Sequence, residues 1–126
     1  GVVIVAAVGN DGPAAPPSYP ASYPGVIAIT AVDKRNRPLI EAGRALHLDY
    51  AAPGADLAAR NRAGRWVTVR GTSYATPLAA ARAAVAIAAG SRANAVAAAL
   101  DREAIPLSRR LPDPQTGRGL LCTLCR

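Results

Sequence analysis

The residues best suited to chemistry lie in the heptapeptide Gly71-Thr72-Ser73-Tyr74-Ala75-Thr76-Pro77. It follows a short β-rich run, Trp66 to Arg70, and leads into an alanine-rich stretch, Leu78 to Ala89, whose composition predicts a helix. A serine at such a junction can present its hydroxyl as a nucleophile, while unpaired N–H groups of the new helix stabilise a developing oxyanion. The same placement suits a helix-capping Ser or Thr, and on these seven residues alone both readings stand. A serine hydroxyl also needs a base to take its proton. The only histidine is His47, in Leu46-His47-Leu48-Asp49-Tyr50. On a strand His47 and Asp49 would share a face. They sit too near each other to serve as separate base and orienter, so His47 is expected to be a surface or strand-end residue. Cys122 and Cys125 form half of a zinc site at best. They read as two thiols near a terminus, with a local disulfide or a partner outside the chain as the alternatives.

The elements that must position Ser73 follow from pattern. Val2 to Val8 and Val26 to Val32 are continuous apolar runs, expected of parallel strands covered on both faces. Gly9-Asn10-Asp11-Gly12 reads as a turn, and the prolines of residues 13–25 as an extended loop. Asp33 to Ala45 is polar and exposed. Leu46 to Ala52 predicts a third strand ended by Pro53-Gly54, and Trp66 to Arg70 a fourth. The helix after Ser73 carries apolar residues on nearly every side, which predicts burial in the middle of a domain. Pro77 is placed near its first turn. Gly90 stops it, and Ser91 caps a second helix running to about Glu103. Residues 106–119 read as loop. The fold class is therefore α/β, a parallel sheet with flanking helices.

At 126 residues the chain holds one domain at most. Hydrophobic residues make up 51% but aromatics only 4%, so the core packs closely while gaining little per residue. The net charge is +7, and every basic residue but Lys34 is arginine. These arginines are scattered and not interleaved with aromatics, which argues against nucleic acid as a partner. No run reaches the length of a membrane span. The chain opens inside what reads as a buried strand and not at a Met, so a piece of a longer protein is expected.

Four blocks recur in an order with family character: Val2-Val3-Ile4-Val5-Ala6-Ala7-Val8-Gly9-Asn10-Asp11-Gly12, Tyr19 to Asp33, Ala51-Ala52-Pro53-Gly54, and the Ser73 heptapeptide. Together they resemble the subtilisin-like serine proteases, the subtilases. Gly117-Arg118-Gly119-Leu120-Leu121 is similar to the glycine-rich strand that closes their catalytic domain. The resemblance implies that residues 1–126 are the C-terminal portion of a subtilase catalytic domain. It implies a serine-type endopeptidase with Ser73 as nucleophile and Asn10 as oxyanion-hole donor. Val8, Gly9 and Ser18 would line the primary specificity pocket, with Asp11 near its mouth. The family's order of Asp, then His, then Ser places both partners of Ser73 before Gly1, so this chain alone is expected to be inactive. No cofactor and no metal are implied. The expected partners are a peptide or protein substrate, the missing N-terminal half of the domain, and a second copy through an exposed strand edge. A secreted or cell-envelope bacterial location is expected.

The chain departs from the family's pattern in places. Leu78 stands where many relatives have His, Ala81 where Gly is common, and Glu41-Ala42-Gly43-Arg44 replaces a Ser-Asn-x-Gly turn. None of these removes a catalytic group. A pseudoprotease or binding module of the same fold is the alternative. A nucleotide-binding domain is discounted, because Gly9-x-x-Gly12 is followed by a Pro-rich loop where a helix should start.

Overall fold

The structure, a computed structural model, describes residues 1–125. Strands β1 (Ile4–Ala7), β2 (Val26–Val32) and β3 (Tyr50–Pro53) form a parallel sheet in that order. Its registers pair Ile4 with Val26 and Ile29 with Tyr50. β2 lies in the middle and is buried at every position, as its unbroken Val-Ile-Ala pattern requires. Helix α1 (Thr72–Ala88) crosses one face of this sheet and α2 (Val96–Glu103) packs beside it. A 3₁₀ turn at Ala93–Ala95 joins them. The core under α1 comprises Ile27, Ile29, Tyr50, Ala52, Ala75, Ala79, Ala83 and Leu100 among others. Small side chains bring helix and sheet together closely. At Gly54, an added Cβ would strike Ala31 and the Gly71 carbonyl.

The third strand begins at Tyr50 and not at Leu46. The side chains of residues 47–49 there occupy the backbone of β2. Asp49 Oδ2 accepts the Ala28 N–H at 2.8 Å, and His47 Nε2 lies 2.8 Å from the Val26 carbonyl oxygen. The outer edge of β3 is covered by the Gly117–Leu121 segment, where Ala51 N–H donates to Gly119 O and Leu121 N–H to Ala51 O. That segment is locked by Arg118. Its guanidinium lies 4.6 Å over the Tyr50 ring, Nη2 donates to the Tyr50 hydroxyl at 2.8 Å, and that hydroxyl donates to Asp101 at 2.6 Å. Arg118 Nε is 2.8 Å from Asp101 Oδ1, an ion pair whose N–H is not aligned as a hydrogen bond. Burial, then the bond to Asp101, pushes the Tyr50 phenol above its ordinary range.

Five expectations are corrected. β1 is not covered on both faces: it is an edge strand, with Val2 86% and Ile4 51% exposed. α1 is not buried all round. It buries one stripe, Thr72, Ala75, Ala79 and Ala83, at helical spacing, and leaves Tyr74, Val85 and Ile87 exposed. It begins at Thr72, which makes Pro77 its sixth residue, with no N–H to offer the Ser73 carbonyl. Ser91 does not cap the second helix, which has no side-chain cap. The run at Trp66 forms β5 (Trp66–Val69), and it pairs antiparallel with an unforeseen strand, β4 (Leu57–Arg60), as a separate hairpin. Cys122 and Cys125 are joined as a local disulfide. No single helix among the described residues is long and apolar enough to cross a membrane.

Candidate active site

Ser73 sits in the first turn of α1, at the carboxyl end of the parallel sheet, where ligands of such sheets gather. It is not the helix cap. That position belongs to Gly71, at φ +140°, which has no side chain to cap with. The capping role falls to a residue 62 positions earlier in the chain: Thr72 N–H donates to Asn10 Oδ1 at 2.9 Å. The Thr72 hydroxyl lies 3.2 Å from the same oxygen and 3.1 Å from the Gly9 carbonyl, to which it also donates. A backbone N–H can only donate, so this contact identifies which end of the Asn10 amide is oxygen. Nδ2 is then the outer end, and no described residue takes its protons. The Ser73 hydroxyl likewise has no partner among the described residues. Its N–H belongs to the first helical turn, which has no intrahelical acceptor.

The turn that carries Asn10 is braced from three sides. Val8, fully buried, donates its N–H to Ile29 O at 3.0 Å. Gly9, at φ +83°, accepts the Gly43 N–H at 2.8 Å. Ser18 Oγ donates to the Val8 carbonyl at 2.7 Å and fills the space where a side chain on Gly9 would stand. Val8, Gly9 and Ser18 are therefore neighbours, joined directly to Asn10 and through it to Thr72 and Ser73. The substituted segment Glu41-Ala42-Gly43-Arg44 takes part as well. Gly43 lies so close to the Val8 carbonyl that a Cβ there would collide, and the Arg44 carbonyl accepts the Ser18 N–H at 2.7 Å.

Arg70, just before Gly71, forks onto Glu41, with Nη2 3.0 Å from Oε2. These hydrogen bonds from Arg70 hold the Glu41 carboxyl below its usual range. On the other side, Gly71 N–H donates to Gly54 O at 2.7 Å. The Ala-Ala-Pro-Gly segment thus seats the start of α1, and Gly54 is the residue that lets it approach.

His47 takes no part. It is held at Val26, the first residue of β2, whereas the Ser73 cluster gathers beyond the last; seven strand residues span about 20 Å at ~3.3 Å each. It lines a cavity of about 640 Å³ with Asp49, Pro112 and Arg118, and neither Ser73 nor Asn10 borders that cavity. Asp49 Oδ2, 3.6 Å from His47 Nε2, is committed to the Ala28 N–H. No group of acids, histidines and cysteines among the described residues could hold a metal ion.

Thr72, which joins Asn10 to the start of α1, is the residue of this candidate site that sequence reasoning passed over. Its signal was its position beside Ser73, but its role depends on Asn10, which only folding brings near.

Comparison with known proteins identifies the family. The sequence profile of the Subtilase family covers residues 1–113. The chain is 38% identical over 88 residues to subtilisin of Bacillus pumilus, covering 68% of this chain and 32% of that protein. It is 38% identical over 81 residues to the minor extracellular protease Epr of Bacillus subtilis (strain 168), covering 64% and 13%. It is 34% identical over 108 residues to the thermophilic serine proteinase of Bacillus sp. (strain AK1), covering 86% and 27%. Among solved structures, the prenylagaramide maturation protease PagA superposes with a TM-score of 0.78 at 29% identity, over 98% of this chain and 49% of that one. The chain thus spans about a third or less of the length of these curated relatives. Sequence profile, relatives and superposition agree with one another: the chain belongs to the subtilase family of serine proteases.

Proposed function

We propose that this chain is the C-terminal portion of a subtilase catalytic domain, residues 1–126, and supplies the nucleophile and the oxyanion site of a serine endopeptidase. Ser73 Oγ attacks the scissile carbonyl and passes its proton to a base. The tetrahedral oxyanion is met by the Asn10 Nδ2 protons and the Ser73 N–H. Collapse breaks the C–N bond, and the amine leaves with the proton returned by the base. Water then releases the acyl group from Ser73. The base and its orienting carboxylate come from a preceding part of the domain, in keeping with the family's order. Val8, Gly9 and Ser18 form the pocket for the residue before the scissile bond. Ser18 Oγ, seated under Gly9, makes its floor narrow and polar.

The observation that carries this reading is the Thr72–Asn10 contact. It commits the amide oxygen to the helix and leaves the N–H end for a substrate. The uncovered edge of β1 and the exposed apolar side of α1 support a further segment of the domain seated there. The relatives are two or more times longer, as such a segment requires. That the Epr relative is an extracellular protease supports a secreted protein. A second copy docked on the β1 edge is the competing occupant when the chain is alone.

A fluorophosphonate probe tests the assignment. Labelling is expected at Ser73 when the chain is part of the complete protein, is lost in Ser73→Ala, and is nearly absent for residues 1–126 alone. Equal labelling of both forms would contradict the supplied base. No labelling of the complete protein would favour a pseudoprotease or binding module.

A further inference from the structure

The β4–β5 hairpin pairs only with itself and stands apart from the parallel sheet. Its sequence from Leu57 to Arg70 holds Arg60, Arg62, Arg65 and Arg70 and no acidic residue; Asp56 stands just before it. Arg70 is neutralised by Glu41. Arg60, Arg62 and Arg65 are exposed, and none of them makes an ion pair among the described residues. Trp66 follows them in the chain and is 65% exposed, with the Arg60 guanidinium 5.0 Å over its ring. Cross-strand pairing of Arg60 with Trp66 fixes that contact.

The tip is rigid. Asn61 Oδ1 accepts the N–H groups of Ala63 and Arg65, both at 3.0 Å, and Asn61 N–H donates to Arg65 O at 2.9 Å. Three exposed guanidinium groups on one hairpin tip, none in an ion pair among the described residues, repel one another and are relieved by carboxylates, which arginine binds as a fork. The patch is also tied to the nucleophile. β5 runs directly into Arg70, Gly71, Thr72 and Ser73, and the Arg70–Glu41 and Gly71–Gly54 contacts hold that connection in place.

We propose that the hairpin tip carrying Arg60, Arg62 and Arg65, with Trp66 stacked under Arg60, recognises an acidic segment of the polypeptide substrate, away from the bond that is cut. The proposal rests on the protease reading above and names the substrate class that reading leaves open. Trp66 to Val69 spans about 10 Å at ~3.3 Å per strand residue, and four residues then lead to Ser73. An extended substrate covers the interval with on the order of four to six residues at the same rise. Exposed ion pairs are individually weak, so the patch selects among substrates more than it holds them.

Trp66 is the only tryptophan, so its emission reports directly on the tip. In the first experiment the chain is titrated with a hexaglutamate peptide and with its hexaglutamine counterpart. A saturable change in Trp66 emission with glutamate alone, weakened by salt, is expected. It should be lost in the variant carrying Arg60→Gln, Arg62→Gln and Arg65→Gln. An equal response to both peptides, or none to either, overturns the proposal. So does tighter binding of a single-stranded oligonucleotide or of phosphatidylserine vesicles, which would assign the patch to another polyanion. Should the triple variant fail to fold, the peptide contrast and its salt dependence decide the matter on the unaltered chain.

The second experiment uses the complete protease and peptides identical around the scissile bond. A Glu or Gln stretch is placed about five residues to either side. The Glu peptide should be favoured in kcat/KM by about three- to tenfold on one side only, and the preference should vanish in the triple variant. Cleavage of both peptides at equal rates on both sides overturns this inference and leaves the protease reading intact. Cleavage of neither, with no labelling of Ser73, overturns the protease reading instead.

Discussion

Two turns in this molecule are built alike and serve different ends. At Asp33–Arg37, the Asp33 carboxylate accepts the N–H groups of Arg35 and Arg37, and Asp33 N–H donates to Arg37 O. At Asn61–Arg65, the Asn61 amide oxygen accepts from Ala63 and Arg65, and Asn61 N–H donates to Arg65 O. Each has its fourth residue at positive φ, Asn36 and Gly64. The first turn follows β2, which has a strand on both edges and a helix over one face, and is buried throughout. Its chain returns along the sheet, where Leu39 N–H donates to Ala31 O, and goes on to Gly43 and the Asn10 turn. The second joins β4 to β5, which have only each other, and three of the four β5 residues are exposed. One local design thus closes a load path into the candidate site and, elsewhere, holds a charged tip out in solvent. The difference lies in the number of neighbours, since β2 and β5 are both rich in β-branched residues.

The sheet side should be costly to disturb and the hairpin side cheap. The largest effect is expected for Asn10→Asp in the complete protein. The carboxylate still accepts the Thr72 N–H and suits a helix N-terminus, but the donor is gone. Turnover should fall about a hundred- to thousand-fold, the magnitude known for the equivalent donor in subtilisin, a relative of this chain, with little change in melting temperature. A parallel loss of folding would show that Asn10 is only a brace.

Next comes Gly54→Val, which forces a side chain into Ala31 and the Gly71 carbonyl. A loss of about 1–3 kcal/mol or more is expected in thermal or denaturant unfolding. Gly64→Ala, in the hairpin turn with open space around it, bears only the cost of its left-handed backbone, about 1–2 kcal/mol. A larger cost at Gly64 than at Gly54 would reverse the comparison.

Smaller still is Tyr50→Phe, which removes the hydroxyl linking Arg118 and Asp101. A destabilisation of about 1–2 kcal/mol is expected by urea unfolding, with Ser73 labelling of the complete protein unchanged.

The smallest effect separates the two turns directly. Hydrogen bonds from Arg37, first from its side chain, hold the Asp33 carboxyl at about 2, down from an ordinary 3.8. A carboxyl depressed by folding adds stability that is complete above its unfolded pKa and lost as pH falls through the folded one. The Arg35 and Arg37 amide resonances should therefore shift with a midpoint near 2, while those of Ala63 and Arg65, bonded to an amide, stay still. A midpoint at the ordinary value would remove the claimed Arg37 contact.

Much of this was legible beforehand because it depends on near neighbours in the chain. The β2 run, the Pro53-Gly54 stop and the strand-to-helix junction at Ser73 each follow from local pattern. β4 was missed because Leu57-Ala58-Ala59-Arg60 has little strand character without β5 beside it. The burial of α1 was overestimated because composition counts apolar residues but not the surfaces available to cover them. The third strand began late because His47 and Asp49 spent their side chains on β2, a contact no periodicity announces.

By itself the sequence determined the family, the fold class, and the candidate pair Asn10 and Ser73. Only the tertiary structure decided that Asn10 caps α1 through Thr72, that His47 lies at the far end of the sheet from Ser73, and that Arg60 stacks on Trp66. The physical reason is range. Backbone propensity and turn chemistry act over a few residues, whereas a hydrogen bond between residues 10 and 72 exists only once the chain between them has folded.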